Sequence, residues 1–274
     1  AVVTITGNDT EILSTTLYPI NGVITLRDMV GLLDDYVHQA LVLNVSINIK
    51  EYDATEMTDE EDLTTQVIFS KADISEDAAT FIAGHYLSLL FGTRITAHGR
   101  MEYLHFIGTE TASTTAYYTD GSNVVFSMVN HTTSRANNYK MLDVSPDNFI
   151  TTGKTLSHYI VTAGSRSQRF NIDFRKPDVS PILLFENSLG VQEILYCTGA
   201  HEIKPEYSRS SAYIDGKMRN YKIEEVKKFD ADTGNLNIAM GDWADELFRS
   251  KEIFICNIFN GTFNVGKEIV ILES

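Results

Sequence analysis

The sequence predicts a mainly β protein, built as two antiparallel β-sandwich-like domains with a few short helices. Three observations favour this fold. Runs rich in Val, Ile, Tyr, Phe and Thr recur along most of the chain, and these residue types suit pleated, half-buried strands. Short connectors containing Asn, Asp or Gly separate many of the runs, as in hairpins. Helical spacing of apolar residues is confined to three short stretches.

The clearest succession of elements lies between Pro181 and Ser250, and the rest of the chain is interpreted around it. Residues 181–197 contain two β-rich runs joined by an Asn/Ser/Gly connector, which predicts a hairpin. Asp215-Gly216 predicts the turn of a second hairpin within residues 211–223. Trp243 and Leu247 then share one side of a short helix.

Two further helices are predicted in the N-terminal part. Apolar residues at helical spacing indicate one helix near residues 26–37 and another near residues 79–90, despite Gly84 within the second. The acidic stretch from Asp53 to Asp62 has one sizeable apolar residue, Met57, and is predicted to be an exposed loop.

The remaining runs predict strands and hairpins. The expected strands are residues 1–5, 41–49, 64–70, 112–118, 124–129, 156–161, 168–174, 252–257 and 268–272. The last six are expected to pair in order as three hairpins, with turns at Asp120-Gly121, Ala163-Gly164-Ser165 and Asn260-Gly261.

The strongest break in the chain lies at Arg175 to Pro181. Pro177 and Pro181 are four residues apart, and each interrupts both strand ladders and helices. We therefore expect two domains, an N-terminal β-rich domain with two helices over residues 1–176 and a C-terminal β domain with one short helix over residues 177–274.

The formal net charge of −15 limits the partners. Such a charge disfavours duplex DNA, because DNA binding relies on Lys and Arg to neutralise phosphates, so sequence-specific nucleic-acid binding is not expected. No apolar run approaches the ~20 residues of a membrane helix, and no membrane insertion is expected. The first residues lack a signal pattern, so we expect synthesis in a cytoplasm. Cys197 and Cys256 lie in apolar runs and are predicted to be buried free thiols.

His98, Glu102 and His105 have side chains of the types that bind metal ions. On a helix these residues would share one face, but the surrounding Thr, Ile, Tyr and Phe predict a strand. A strand would separate His98 from Glu102 by about 13 Å and turn His105 to the other face, so we expect no metal there. Residues 53–62 are rich in carboxylates that suit calcium, although they lack the spacing of a helix–loop–helix calcium site.

Catalytic patterns are weak. The carboxylate pairs Asp34-Asp35 and Asp242 with Asp245 suit a glycoside hydrolase in principle. Gly164-Ser165-Arg166-Ser167 lacks the nucleophile-elbow pattern, and no glycine-rich phosphate loop occurs. We expect no catalytic, cofactor-binding or metal-binding residues, and therefore no enzyme.

An aromatic group in the predicted strands permits another function. Exposed aromatic rings can stack on sugars, although strand aromatics also fill cores. The group is Tyr117, Tyr118, Phe126, Tyr139 and Tyr159.

A set of residues in the last third of the chain carries a resemblance. In order they are Phe185-Glu186-Asn187-Ser188-Leu189-Gly190, Glu193, Arg209, Ala212, Gly216, Tyr221, Trp243-Ala244-Asp245-Glu246-Leu247, Ser250 and Glu252. This succession resembles virion structural (tail-component) proteins of phages and prophages of Bacteroides-type gut bacteria. The opening, from Asn21-Gly22-Val23-Ile24 to Tyr36, is a looser match.

The resemblance implies a structural subunit of a phage virion, most simply a tail or tail-associated ring component, with no active site. It implies self-association into a ring or larger assembly and contact with other virion proteins, in the virion. An acidic lining would keep a passing genome from adhering to such a ring. The alternatives are a surface glycan-binding β-sandwich module and, behind it, a glycoside hydrolase.

Overall fold

The structure is a computed structural model that describes residues 1–129, 131–132, 138–175, 177–259 and 262–272. Strands make up 52% of the chain and helices 13%, which confirms the predicted mainly β class. The described residues form three α-helices and five sheets, in which all strand pairs but one are antiparallel. Several antiparallel sheets of this kind are compatible with a β-sandwich-like fold. No helix within the described ranges has the length and apolar character needed to cross a membrane.

The first sheet is covered by a helix. Its strands are β1 (Val2–Gly7), β2 (Thr10–Thr16), β3 (Val42–Asp53) and β4 (Glu56–Ile68), arranged in the order β2-β1-β3-β4. Helix α1 (Met29–Ala40) buries Leu33 and Val37 against Val3, Ile5 and Val45. Asp28 begins this helix by accepting a hydrogen bond from the Gly31 N–H. The helix predicted near residues 26–37 is therefore confirmed.

The predicted loop at Asp53 to Asp62 is wrong. Residues 56–62 belong to β4, which pairs with β3 as far as the Asp53–Glu56 pair. Only Ala54 and Thr55 separate the two strands, and neither is a residue that signals a turn. The acidic side chains are exposed as predicted, but backbone pairing with β3 overrides their low strand propensity.

Two sheets pack against each other in the middle of the chain. The larger contains β5 (Thr93–Thr96), β7 (Ala112–Tyr118), β8 (Asn123–Ser127), β11 (Leu156–Ala163) and β12 (Arg166–Ile172), in the order β5-β12-β11-β7-β8. The smaller contains β6 (Tyr103–Ile107), β9 (His131–Thr132) and β10 (Tyr139–Asp143), in the order β6-β10-β9. Phe106 and Leu142 of the smaller sheet meet Tyr159 and Phe170 of the larger one in a common core. A 3₁₀ turn, Pro146–Phe149, adds Phe149 to that core. The two hairpins predicted here are confirmed.

The second helix is shorter than predicted. Helix α2 (Ala78–Gly84) begins at Asp77, whose carboxylate accepts from the Thr80 N–H, and ends at Gly84. Beyond it the backbone N–H of Leu87 donates to the carbonyl of His105 in β6, at 2.7 Å. The chain after the helix is therefore held at Leu87 by the neighbouring strand. Glycine has a low helix propensity, so Gly84 is a favourable position for the helix to end.

The last sheet packs on the third helix. It contains β13 (Ile182–Glu186), β14 (Gln192–Tyr196), β17 (Ile253–Phe259) and β18 (Thr262–Ile269), in the order β14-β13-β17-β18. Helix α3 (Ile238–Arg249) places Trp243 and Leu247 against Leu183, Phe185 and Ile253. The hairpin within residues 181–197 and the helix around Trp243 are thus confirmed. The expected C-terminal hairpin forms, although its predicted turn at Asn260-Gly261 lies outside the described residues.

The expected division into residues 1–176 and 177–274 remains a prediction, and Lys176 itself lies outside the described residues. Contacts across this division are close. The Asn187 amide donates to the carbonyl of Leu87 at 2.9 Å, and the Tyr196 hydroxyl donates to the carbonyl of Met101 at 2.8 Å. The C-terminal sheet is therefore hydrogen-bonded to the segment that connects α2 to β6.

The turn between β13 and β14 depends on glycine at position 190. Gly190 has φ +75°, and a Cβ there would lie 2.8 Å from Cδ1 of Phe69. Gly153 has a similar φ of +76° but open space around it. We expect Gly190→Ala to lower the free energy of unfolding by about 1–3 kcal/mol more than Gly153→Ala, because it adds overpacking to the same conformational cost. Urea denaturation measures both; equal losses would contradict the close packing at this turn.

Candidate functional site

A long two-stranded ribbon has nearly all of its residues exposed. Strands β15 (His201–Ile214) and β16 (Lys217–Ala231) form a sheet of their own, joined by Asp215-Gly216 with positive φ at both residues. This is the turn chemistry that the sequence predicted. Fourteen residues in β15, at about 3.3 Å per residue, give a length of about 45 Å. We call residues 201–231 the arm.

The arm has two chemically different faces. Residues directly opposite each other in the ladder, such as Ile203 with Phe229 and Tyr213 with Met218, project to the same side. The face formed in this way carries the apolar residues Ile203, Pro205, Tyr207, Tyr213, Met218, Ile223 and Phe229, together with the charged residues Arg209, Glu225 and Lys227. We call it the apolar face.

The opposite face carries charges, and those near the base of the arm form ion pairs. Lys204 contacts Glu202 and Asp230, and Lys228 lies 2.7 Å from Glu206. In β15, charged and apolar residues alternate from Glu202 to Tyr207, which is the pattern of a sheet with one solvated and one covered side.

The apolar face is uncovered in the single chain. Tyr213 is 74% exposed, Met218 67% and Ile223 59%. No other strand or helix of the described residues packs along the arm. A two-stranded hairpin is only marginally stable without a third strand or a packed face, and contiguous exposed apolar surface marks interaction sites. The arm therefore has the composition of an element that is covered by a partner.

The two connections of the arm remain hydrogen-bonded to each other where they join the rest of the molecule. The N–H of Gly199 donates to the carbonyl of Asp232 at 3.0 Å, and the N–H of Asp232 donates to the carbonyl of Ala200 at 2.9 Å. Residues 198–200 connect buried Cys197, which follows β14, to the arm, and residues 232–236 lead from the arm to Asn237, the N-cap of α3. Both connections lead into the core that contains Trp243.

A network of buried charges lies in that core. Arg94 Nε is 2.9 Å from Oε2 of Glu102, and its Nη1 is 3.9 Å from Oε1 of Glu193. The guanidinium also lies over the ring of Trp243, 4.5 Å from its centroid. Trp243 Nε1 donates to Glu193 at 2.8 Å, and Ser88 donates to the same carboxylate at 2.7 Å. These contacts join segments from both sides of the expected domain division.

Burial governs the protonation of this network. It raises the pKa of the Glu102 carboxyl, which Arg94 and Arg100 oppose, and it lowers the pKa of Arg100. The cavity lined by Arg94, Glu102 and Trp243 measures about 30 Å³, above the roughly 10–15 Å³ that a cavity needs to hold a water molecule. Its size suits a bridging water, and we interpret the network as structural.

The structure does not bring His98, Glu102 and His105 together as ligands of one metal ion. His98 lies in a turn before Gly99 and contacts Asp147 at 2.8 Å. Glu102 pairs with Arg94, while His105 contacts the Tyr139 hydroxyl at 2.7 Å. The predicted strand over this block is wrong for His98 and Glu102, because β6 begins at Tyr103. No group of three His, Cys, Asp or Glu side chains in the described ranges could hold a metal ion.

The other candidate residues are also dispersed. Asp34, Asp35, Asp242 and Asp245 are exposed side chains on α1 and α3. Tyr118, Tyr139 and Tyr159, three of the five aromatic residues that were candidates for stacking on sugars, are buried in cores. Phe126 packs partly buried against the same core as Tyr159, and Tyr117 stacks on His158. That group therefore forms no exposed platform.

The two cysteines are free and buried, as predicted. Burial raises the pKa of the Cys197 thiol to about 11, so at neutral pH it is protonated and weakly nucleophilic.

Sequence reasoning missed two features of the site. It recognised the outer part of the arm but not residues 201–210, although Ile203, Pro205 and Tyr207 already alternate with Glu202, Lys204 and Glu206. It also gave no role to Glu193, whose partners Ser88 and Trp243 lie 105 and 50 residues away.

Comparison with models of protein families and with curated proteins finds no match to this chain.

Proposed function

We propose that this protein is a structural subunit of a phage virion, a tail or tail-associated ring component, that works by packing against copies of itself and against other virion proteins. The observation that carries the proposal is the uncovered apolar face of the arm. The resemblance of the last third of the chain to virion tail components points to the same role. The arm supplies Arg209, Ala212, Gly216 and Tyr221 of that resemblance.

The energetics favour a covered arm. Each large apolar side chain that passes from water to a buried site contributes about 1.5–3 kcal/mol. The apolar face has several such side chains, including Tyr207, Tyr213 and Ile223. Covering them would offset the entropic cost of ordering two partners. A contact between unlike surfaces of identical subunits closes into a ring or continues as a filament, and neither needs a cofactor.

The net charge of −15 suits a ring that surrounds a DNA path, because an acidic lumen repels phosphate. Imaging of the native assembly tests this part of the proposal. Acidic residues facing outward around a basic lumen would contradict it.

The chain offers a matched pair of variants for testing the apolar face. Tyr213 and Ile223 lie on the apolar face, whereas Ile214 and Val226 lie on the charged face of the same two strands. Val226 is 55% exposed, close to the value for Ile223. We expect Tyr213→Ser/Ile223→Ser to abolish particles that the unchanged protein forms, and Ile214→Ser/Val226→Ser to retain them. Both variants should unfold at the midpoint of the unchanged protein, because all four side chains are exposed.

Light scattering and negative-stain imaging over a range of concentrations give the readout. A protein that stays monomeric and never enters particles, alone or with other virion proteins, would overturn the proposed function. Equal loss of particles in both double variants would overturn the assignment of the apolar face.

A further inference from the structure

The charges of the arm divide along its length. Near the base, lysines and carboxylates pair with each other. In residues 207–223, by contrast, there are four basic side chains and one acidic one, a net charge of +3 in a chain of net charge −15. Arg209, Lys217 and Arg219 form no ion pair with any other residue that the structure describes. The outer half of the arm is therefore a basic surface in an acidic protein.

A second hairpin carries the complementary charge. Residues 50–62, at the outer end of β3 and β4, contain seven acidic side chains and one lysine, a net charge of −6. We call these residues the acidic end. Lys50 pairs with Glu60 at 3.3 Å, whereas Glu51, Glu56, Asp59 and Glu61 have no cationic partner among the described residues.

Backbone geometry also makes the acidic end accessible. Strand β4 is the outermost strand of its sheet, in the order β2-β1-β3-β4. Its free edge presents unpaired N–H and C=O groups, which another chain can pair with or pack against. The acidic side chains protect this edge from indiscriminate pairing and favour a cationic partner.

The ends of the two hairpins also share an apolar feature. Tyr52 pairs across the strands with Met57, and Tyr213 pairs with Met218. All four side chains are exposed in the single chain. In each hairpin the Tyr–Met pair lies on one face. Lys217 and Arg219 of the arm, and Glu56, Asp59 and Glu61 of the acidic end, lie on the other face of their hairpin. The charges of these two faces are opposite in sign.

We propose that the outer half of the arm of one copy packs against the acidic end of the β3–β4 hairpin of a second copy. This inference rests on the proposed assembly function and names the two surfaces that meet. The unpaired cations Lys217 and Arg219 on one face of the arm meet the unpaired carboxylates on the corresponding face of the acidic end. The contact joins unlike surfaces, so an open row of copies has a free arm at one end and a free acidic end at the other until a ring closes.

Charge reversal on each surface tests the contact. One variant, Lys217→Glu/Arg219→Glu, makes the end of the arm acidic; the other, Glu56→Lys/Asp59→Lys/Glu61→Lys, makes the second hairpin basic. Juxtaposed like charges cost several kcal/mol in interfaces, so we expect each variant alone to associate about 100-fold more weakly than the unchanged protein. Higher ionic strength should weaken association of the unchanged protein, because the charges are exposed.

Mixing the two variants is the decisive measurement. The acidic arm of the first fits the basic hairpin of the second, and the basic arm of the second fits the acidic hairpin of the first. We therefore expect sedimentation velocity to show association in the equimolar mixture, and also in a chain that carries all five substitutions. All variants should keep the unfolding midpoint of the unchanged protein, because every altered side chain is exposed.

The outcomes separate the two proposals. If the unchanged protein assembles and either reversed variant still assembles alone, this contact is refuted while the assembly function stands. If both variants fail alone and the mixture is not restored, the arm meets a different surface, which also refutes the contact. If the unchanged protein never assembles, the proposed function itself fails.

Discussion

Trp243→Ala is expected to lower the free energy of unfolding by about 3–5 kcal/mol, the range for removing a large aromatic side chain from a core. Trp243 is 1% exposed, packs against Phe185 with ring centroids 5.8 Å apart, and lies beneath the Arg94 guanidinium. Its indole N–H also donates to the buried Glu193 carboxylate. The substitution therefore leaves a cavity and removes a hydrogen bond from a buried charge.

Phe248→Ala on the same helix is the matched control for Trp243→Ala. Phe248 is 49% exposed, so its loss should cost less than about 1 kcal/mol. Urea denaturation monitored by far-ultraviolet circular dichroism measures both variants without relying on the fluorescence of the chain's one tryptophan. Equal losses in the two would contradict the central place of Trp243 in the core.

Arg94→Met is expected to cost a similar amount, about 3–5 kcal/mol at neutral pH. The substitution keeps a long apolar side chain but removes the cation between Glu102 and Glu193. Two buried carboxylates then share a site without their central counter-charge. Arg175→Met provides the control, because the ion pair of Arg175 with Asp173 is largely exposed on the arginine side and exposed pairs contribute about 0–1 kcal/mol.

The cost of Arg94→Met should depend on pH. Burial already raises the pKa of Glu102 in the folded protein, and Arg94 opposes that rise; removing Arg94 raises the pKa further. A carboxyl whose folded pKa is raised stabilises the fold most when protonated, below its unfolded pKa of about 4.3. That contribution is lost as the pH rises through the folded pKa.

The difference in unfolding free energy between the unchanged protein and Arg94→Met should consequently be smaller at pH 5 than at pH 8. Chemical denaturation at both pH values measures this difference, in which the titration of the remaining groups cancels. A difference that does not change with pH would show that Glu102 stays ionised in the variant.

The elements predicted best are those specified by neighbouring residues. The turn at Asp215-Gly216 needs positive φ at two adjacent positions, a conformation that Asp and Gly tolerate. Helix α3 follows from the i, i+4 spacing of Trp243 and Leu247, and both side chains are buried. In each case the signal lies within five residues of sequence, so no knowledge of distant contacts is needed.

The elements missed are those specified by distant partners. Residues 56–62 form a strand because β3 supplies the ladder, although their own acidic side chains disfavour it. Helix α2 ends at Gly84 because the following backbone bonds to β6. The buried contact between Arg94 and Glu193 likewise joins segments about 100 residues apart, which hydrophobic periodicity does not report.

The way in which the arm is rooted has a mechanical consequence. One strand leaves beside Cys197 and the other returns to Asn237, so a pull at Asp215 would travel along two covalent connections at once. Both connections transmit the force to the C-terminal sheet and to helix α3, whose Trp243 packs against that sheet. A subunit tethered in this manner would pass tension from a neighbouring copy first into this sheet and helix.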